Sequence, residues 1–149
     1  MKVEVFWKNK MQFEGVARGL KTPMDATSEH GGEGLAPTPK ELLLESMCGC
    51  SGMDVVSILQ KMRQNISEFK MDVEAQKNTE PPIYFTEIKL NYRLKGNIEK
   101  DKAIKAVSVS MNKYCGVSYM ISKASEIYYE IFLNEESIFK GKSDFVDPE

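Results

Sequence analysis

Histidine, tryptophan and cysteine are scarce in this chain: among 149 residues there are one histidine, one tryptophan and three cysteines. With one histidine, a Ser-His-Asp site would have to be built around His30, and no motif surrounds it. No CxxC pair occurs, which excludes a thioredoxin-type centre, and no GxGxxG or GxxxxGK(S/T) phosphate cradle occurs either. Cys48, Cys50, Cys115 and His30 reach a zinc ligand count. Cys48 and Cys50, however, lie two apart on one helix and are turned by about 200°, too far to face one metal. Neither a metal nor a cofactor is expected. Net charge is −2, so no basic footprint for a nucleic acid is visible. The first residues, Met1 to Phe6, lack the apolar core of a signal peptide. No run of 18 apolar residues is present, so no membrane span is expected. Three cysteines without a secretion signal suggest a reducing compartment, the cytoplasm, where thiols stay reactive or simply buried.

Hydrophobic residues at 42% and charged residues at 28% are ordinary for a globular chain, and the length suits one domain over 1–149. Val3, Val5 and Trp7, then Met11, Phe13, Gly15 and Ala17, alternate with other residues at the period of a strand, with the turn near Asn9. A loop rich in Gly, Ser and Pro spans 27–37. Thr38-Pro39-Lys40-Glu41 then reads as a helix start, with Thr38 as cap, Pro39 in the first turn and Glu41 reaching back. The helix is expected to run to about Gln64. From Leu42 to Met53 it is apolar on nearly all sides, so other elements or a partner chain must cover it. Strands are expected over 69–76 and 84–94, joined by a turn holding Pro81-Pro82. A helix over 99–114, a short helix over 118–124, a strand over 127–133 and a polar tail from about 141 to 149 complete the chain. Strands, central helix, strands, helices and strand describe an α+β fold with mostly antiparallel sheets.

The thiols remain as candidates for chemistry. A cysteine in an apolar run is often just a small buried hydrophobe, and that reading suits Cys48. Cys50 has Asp54 one helical turn on, and a carboxylate on a buried helix needs a partner, so a polar pocket is expected beside Cys50. Cys115 lies in Lys113-Tyr114-Cys115-Gly116-Val117-Ser118, a helix junction with free backbone N–H groups and a nearby ammonium. Those features are expected to favour the thiolate.

The Pro39-Lys40-Glu41-Leu42-Leu43-Leu44 run, then Gly49-Cys50 and Asp54-Val55-Val56, resembles the central-helix motif of the OsmC/Ohr family. Lys113 to Ser118 resembles that family's second cysteine motif. Asp54 to Lys61 is most similar to its YhfA-like branch. The resemblance implies antiparallel sheets wrapped around a long, buried central helix, in an intertwined homodimer with both cysteines in one pocket. It implies reduction of organic hydroperoxides, with Cys50 as the peroxidatic thiolate, Cys115 as the resolving thiol, and a dithiol or thiol carrier protein as reductant. The family's strong peroxidases place a Glu directly after the helix-starting Pro, paired with an Arg from the early strands. Here that position is Lys40, Glu41 comes one residue later, and Arg18 occupies the region of the arginine. The other reading of the same fold is a dimeric module that binds a small ligand and whose cysteines are redox-silent.

Overall fold

The computed structural model describes residues 1–147. The chain divides into two compact units, Met1–Glu45 and the remainder from Ser46.

The first unit is a three-stranded antiparallel meander of β1 (Glu4–Asn9), β2 (Gln12–Ala17) and β3 (Leu20–Met24). Arg18 and Gly19, with φ of 53° and 79°, close the hairpin between β2 and β3. Two consecutive positive φ values match the twist of the flanking strands. β3 was not expected from the sequence, because Lys21, Thr22 and Pro23 carry no apolar alternation. It forms by pairing with β2, from Ala17 opposite Leu20 to Phe13 opposite Met24. The next loop is organised by Asp25, which is 1% exposed. Its carboxylate accepts from the N–H groups of Ala26, Glu33 and Leu35 at 2.8, 3.1 and 3.2 Å.

The helix α1 (Pro39–Lys61) opens with the expected reciprocal cap. The N–H of Thr38 donates to Glu41 Oε2 at 2.7 Å, and the N–H of Glu41 donates to Thr38 Oγ1 at 3.3 Å. The helix ends three residues before Gln64, because Arg63 turns to a φ of 57°.

In the second unit β4 (Asn65–Lys77), β5 (Phe85–Asn97), β6 (Glu126–Leu133) and β7 (Glu136–Lys142) form one sheet in that order. β5 and β6 pair in parallel and the other neighbours antiparallel. The parallel pair needs a crossover, supplied by α2 (Lys100–Val109), a π turn over Ser110–Tyr114 and α3 (Gly116–Ser122). Alternation sorts the two faces. Ile88, Leu90, Tyr92 and Leu94 of β5, with Ile127, Tyr129 and Ile131 of β6, are buried together. The opposite face carries the Asp72–Arg93 pair at 2.6 Å, with the guanidinium 4.3 Å from the Phe132 ring centroid. One covered and one wet face is the usual state of such a sheet.

Three expectations change. β7 takes in residues 141 and 142 of the anticipated polar tail, which begins instead at Ser143; its last two residues, 148 and 149, lie outside the described residues. The all-round burial expected of α1 is, within the single chain, one stripe of Met47, Ser51, Val55 and Leu59. One sheet face covers one side of a helix, and Met53 stays 76% exposed. By length and composition α1 is also long and apolar enough to cross a membrane, although it holds no unbroken apolar run of 18 residues. Its buried stripe is nonetheless engaged with the sheet and crossover of its own chain through Ser51.

Candidate active site

Two structural devices bring the thiols together. Cys50 sits on α1 directly before the buried stripe residue Ser51. Cys115 sits where the crossover changes direction: its N–H closes the π turn onto the carbonyl of Ser110 at 2.9 Å, and its backbone then extends before α3 begins. Wide turns of this kind recur at functional sites. The interruption falls at Cys115 itself, and Gly116 is the first residue of α3. The Cys50 side chain interacts directly with that of Cys115. The two differ in access, since Cys50 is partly exposed and Cys115 is fully buried.

The polar surroundings expected beside Cys50 are a file of buried hydroxyls. Asp54 accepts from Ser110 Oγ at 3.0 Å, Ser110 Oγ lies 2.9 Å from Ser51 Oγ, and Ser51 Oγ lies 2.6 Å from the Tyr92 hydroxyl. Ser51, Tyr92 and Ser110 are all fully buried. Burial drives the Tyr92 phenol far above the ordinary tyrosine range, and the neighbouring Cys115 and Cys48 push in the same direction. Ser51, Ser110 and Tyr92 were not anticipated. The spacing of Ser51 to Met47 and Val55, four residues each way on an apolar stripe, was the available signal for the first.

The expectation that Cys115 favours the thiolate is overturned. Burial pushes its pKa up to about 11, and contact with Cys50 adds to the rise. The hydroxyl and N–H of Ser118, 3.0 and 3.4 Å from the sulfur, oppose it. The Lys113 ammonium lies 5.9 Å from the centroid of the Tyr114 ring, and both residues are exposed. Desolvation therefore outweighs the donors.

Cys48 is partly exposed rather than buried, and it acts electrostatically on Tyr92. Arg18, Lys40 and Glu41 belong to the first unit. Arg18 is an exposed turn residue and Lys40 is exposed. Glu41 is held below the usual carboxylate range by its two bonds to Thr38, which fixes it in the helix cap. His30 bonds to Thr27 Oγ1 at 2.9 Å in the exposed loop. Among the described residues no group of three His, Cys, Asp or Glu side chains is placed to hold a metal ion. A cavity of about 560 Å³ opens beside Cys115, walled by Tyr119 and Phe145 and flanked by Asn112 and Lys113.

A thiol on a long apolar helix, meeting a second thiol at a helix junction in an α+β frame, defines the class. The chain belongs to the OsmC-like protein family, which matches residues 31–130. More narrowly, it is 39% identical over 129 residues to Protein YhfA of Escherichia coli (strain K12), a match covering 85% of this chain and 93% of that protein. Among solved structures, a hypothetical protein from Aquifex aeolicus VF5 is 29% identical, with a TM-score of 0.76 over 90% of this chain and 97% of that one. The organic hydroperoxide resistance protein OsmC from Legionella pneumophila has a TM-score of 0.68 at 17% identity, covering 88% of this chain and 95% of that one, and so shares the fold. The resemblance to the OsmC/Ohr family and its YhfA-like branch is thereby borne out.

Proposed function

We propose that this protein is a thiol-dependent peroxidase-like enzyme that reduces organic hydroperoxides. The observation that carries the reading is the contact between a partly exposed Cys50 and a fully buried Cys115. A peroxide can reach the first sulfur but not the second. The Cys50 thiolate attacks the distal peroxide oxygen, the O–O bond breaks, and the alcohol leaves after taking a proton. The sulfenic acid so formed condenses with Cys115, releasing water and giving a disulfide. A small dithiol or a thiol carrier protein then exchanges with that disulfide and restores both thiols. Asp54 acts through Ser110 to fix the helix that carries Cys50. Arg18 and Lys40 are cationic candidates for supporting the thiolate, while Glu41 serves the cap. The chain works as one domain over 1–149, as a homodimer in the cytoplasm.

The experiment is hydroperoxide consumption with dithiothreitol as reductant, comparing wild type with Cys50→Ser and Cys48→Ala. Cys50→Ser should abolish turnover and Cys48→Ala should keep it. Equal losses in the two variants would assign the wrong thiol.

The cavity beside Cys115 favours a second reading. Its volume of about 560 Å³ falls in the range of small-molecule sites, as expected of a redox-silent binding module. Under that reading, one equivalent of peroxide leaves Cys50 and Cys115 as free thiols in peptide maps. Under the first, it joins them.

A further inference from the structure

Cys115 faces a conflict. It must act as a thiolate whenever a bond to Cys50 forms or breaks, yet it is 0% exposed. No water can solvate the charge, so the protein must. The side chains acting on it differ in kind. Cys50 on α1 disfavours charge beside it, and the Tyr92 phenol on β5 stays neutral. Asp54 lies two hydroxyls from Tyr92 along the file. Lys113 is turned toward Tyr114. Two hydrogen-bond donors do point at the sulfur, and both come from Ser118, which is itself fully buried. The placement follows from the backbone: Cys115 caps α3, so the N–H three residues on falls on its side chain, and the hydroxyl of that same residue lies beside it. Among the described residues, the other partner of that hydroxyl is the weakly accepting sulfur of Met111, at 3.8 Å.

We propose that Ser118 is the positioning residue of the resolving thiol, its hydroxyl and N–H holding Cys115 Sγ and stabilising the thiolate that a dry site would otherwise forbid. This rests on the two-cysteine peroxidase reading. In disulfide formation the Cys115 electron pair attacks the Cys50 sulfenic sulfur, the S–O bond breaks, and the departing hydroxide takes the proton that Cys115 gave up. In reduction, a dithiol thiolate attacks Cys50 Sγ, the S–S bond breaks, and Cys115 leaves as a thiolate before regaining a proton. Ser118 faces the charged sulfur in both directions.

The test isolates Cys115 in full-length protein carrying Cys48→Ala and Cys50→Ser, and follows its exchange with 4,4′-dithiodipyridine from pH 6 to 9. Ser118→Thr and Ser118→Val have nearly the same shape and differ in the hydroxyl, so comparing them removes packing. Loss of a donor to a thiolate lowers its population by about tenfold. The more basic sulfur is also more nucleophilic, which returns about half of that loss on a logarithmic scale. Ser118→Val should therefore react about threefold more slowly than Ser118→Thr at each pH, with an unchanged slope. A residue that merely packs would leave the two variants equal, and a site loosened by the loss of the hydroxyl would expose Cys115 and make Ser118→Val the faster. Equal or faster exchange in Ser118→Val overturns the proposal. The assay contains no peroxide. Failure of wild type to join Cys50 to Cys115 under peroxide overturns the peroxidase reading separately.

Discussion

The hydroxyls of Ser51 and Ser110 meet at 2.9 Å across 59 residues of sequence, and their bond fixes the direction of a whole proton file. Ser110 has one hydroxyl proton and gives it to Asp54. It can then only accept from Ser51, which in turn can only accept from Tyr92. The order runs from phenol to carboxylate, and it ties the helix bearing Cys50 to the turn bearing Cys115.

Removing the middle of that file should cost more than removing its end. Ser110→Ala strips Asp54 of the Ser110 donor and leaves Ser51 with the weak Met111 sulfur as acceptor, so a loss of about 2–3 kcal/mol is expected. Tyr92→Phe leaves Ser51 bonded to Ser110 and should cost about 1 kcal/mol. Urea unfolding checks the ranking. A Ser110→Ala loss no larger than that of the exposed Ser137→Ala would show that the file is energetically idle.

Self-association should depend on the uncovered apolar surface. Met53 on α1 is 76% exposed, and in β1 Val5, Phe6 and Trp7 are 56, 49 and 65% exposed. Large apolar side chains left exposed on each unit are what an interaction face would cover. Sedimentation should give a dimer for wild type at micromolar concentration, and Met53→Glu should shift it toward monomer or unfold it. A folded wild-type monomer would refute the expectation.

The loop after β3 should loosen in acid. Burial raises the Asp25 carboxyl, but the backbone N–H bonds together outweigh it and hold the group below the usual range. A depressed folded-state pKa contributes stability that is present above the ordinary aspartate value and is lost as pH falls through the folded one. Pepsin cleavage between Ala26 and Leu35 should therefore rise as pH drops below about 4. In Asp25→Asn it should already be fast at the top of that window. Identical pH profiles for the two proteins would contradict this account.

Gly96 should resist substitution. Its φ is 137°, and a Cβ there would stand 2.1 Å from the Asn65 carbonyl oxygen. Gly96→Ala should destabilise by on the order of 3 kcal/mol, read as a lowered denaturant midpoint. An unchanged midpoint would show that the β4–β5 end can shift freely.

Much of this architecture was legible in the residues. Thr38 and Glu41 announced the start of α1, and the alternation of Ile88, Leu90, Tyr92 and Leu94 announced the buried face of β5. Strands without an apolar signature were not legible. β3 is polar and holds Pro23, and β7, with Glu136, Lys140 and Lys142, looks like a tail until its pairing with β6 is seen. At the site, Cys50, Cys115 and Asp54 stood out by residue type, whereas Ser51, Ser110 and Ser118 did not. Serine is common, and only the convergence of α1, β5 and the crossover makes these three special. The charge preference of Cys115 was misjudged because a row of sequence neighbours carries no depth: the donors were there, but so was complete burial.

The π turn before Cys115 has a consequence for how this site tolerates change. Its ring closes from Cys115 to Ser110 over one residue more than an α-helical turn. Deleting any one residue between them would let the crossover continue as a regular helix and swing the rest of it by about 100°. The sulfur would leave Cys50 although every side chain of the pair was still encoded. Insertions and deletions are usually absorbed by loops; here the meeting of two thiols depends on a register counted within a helix.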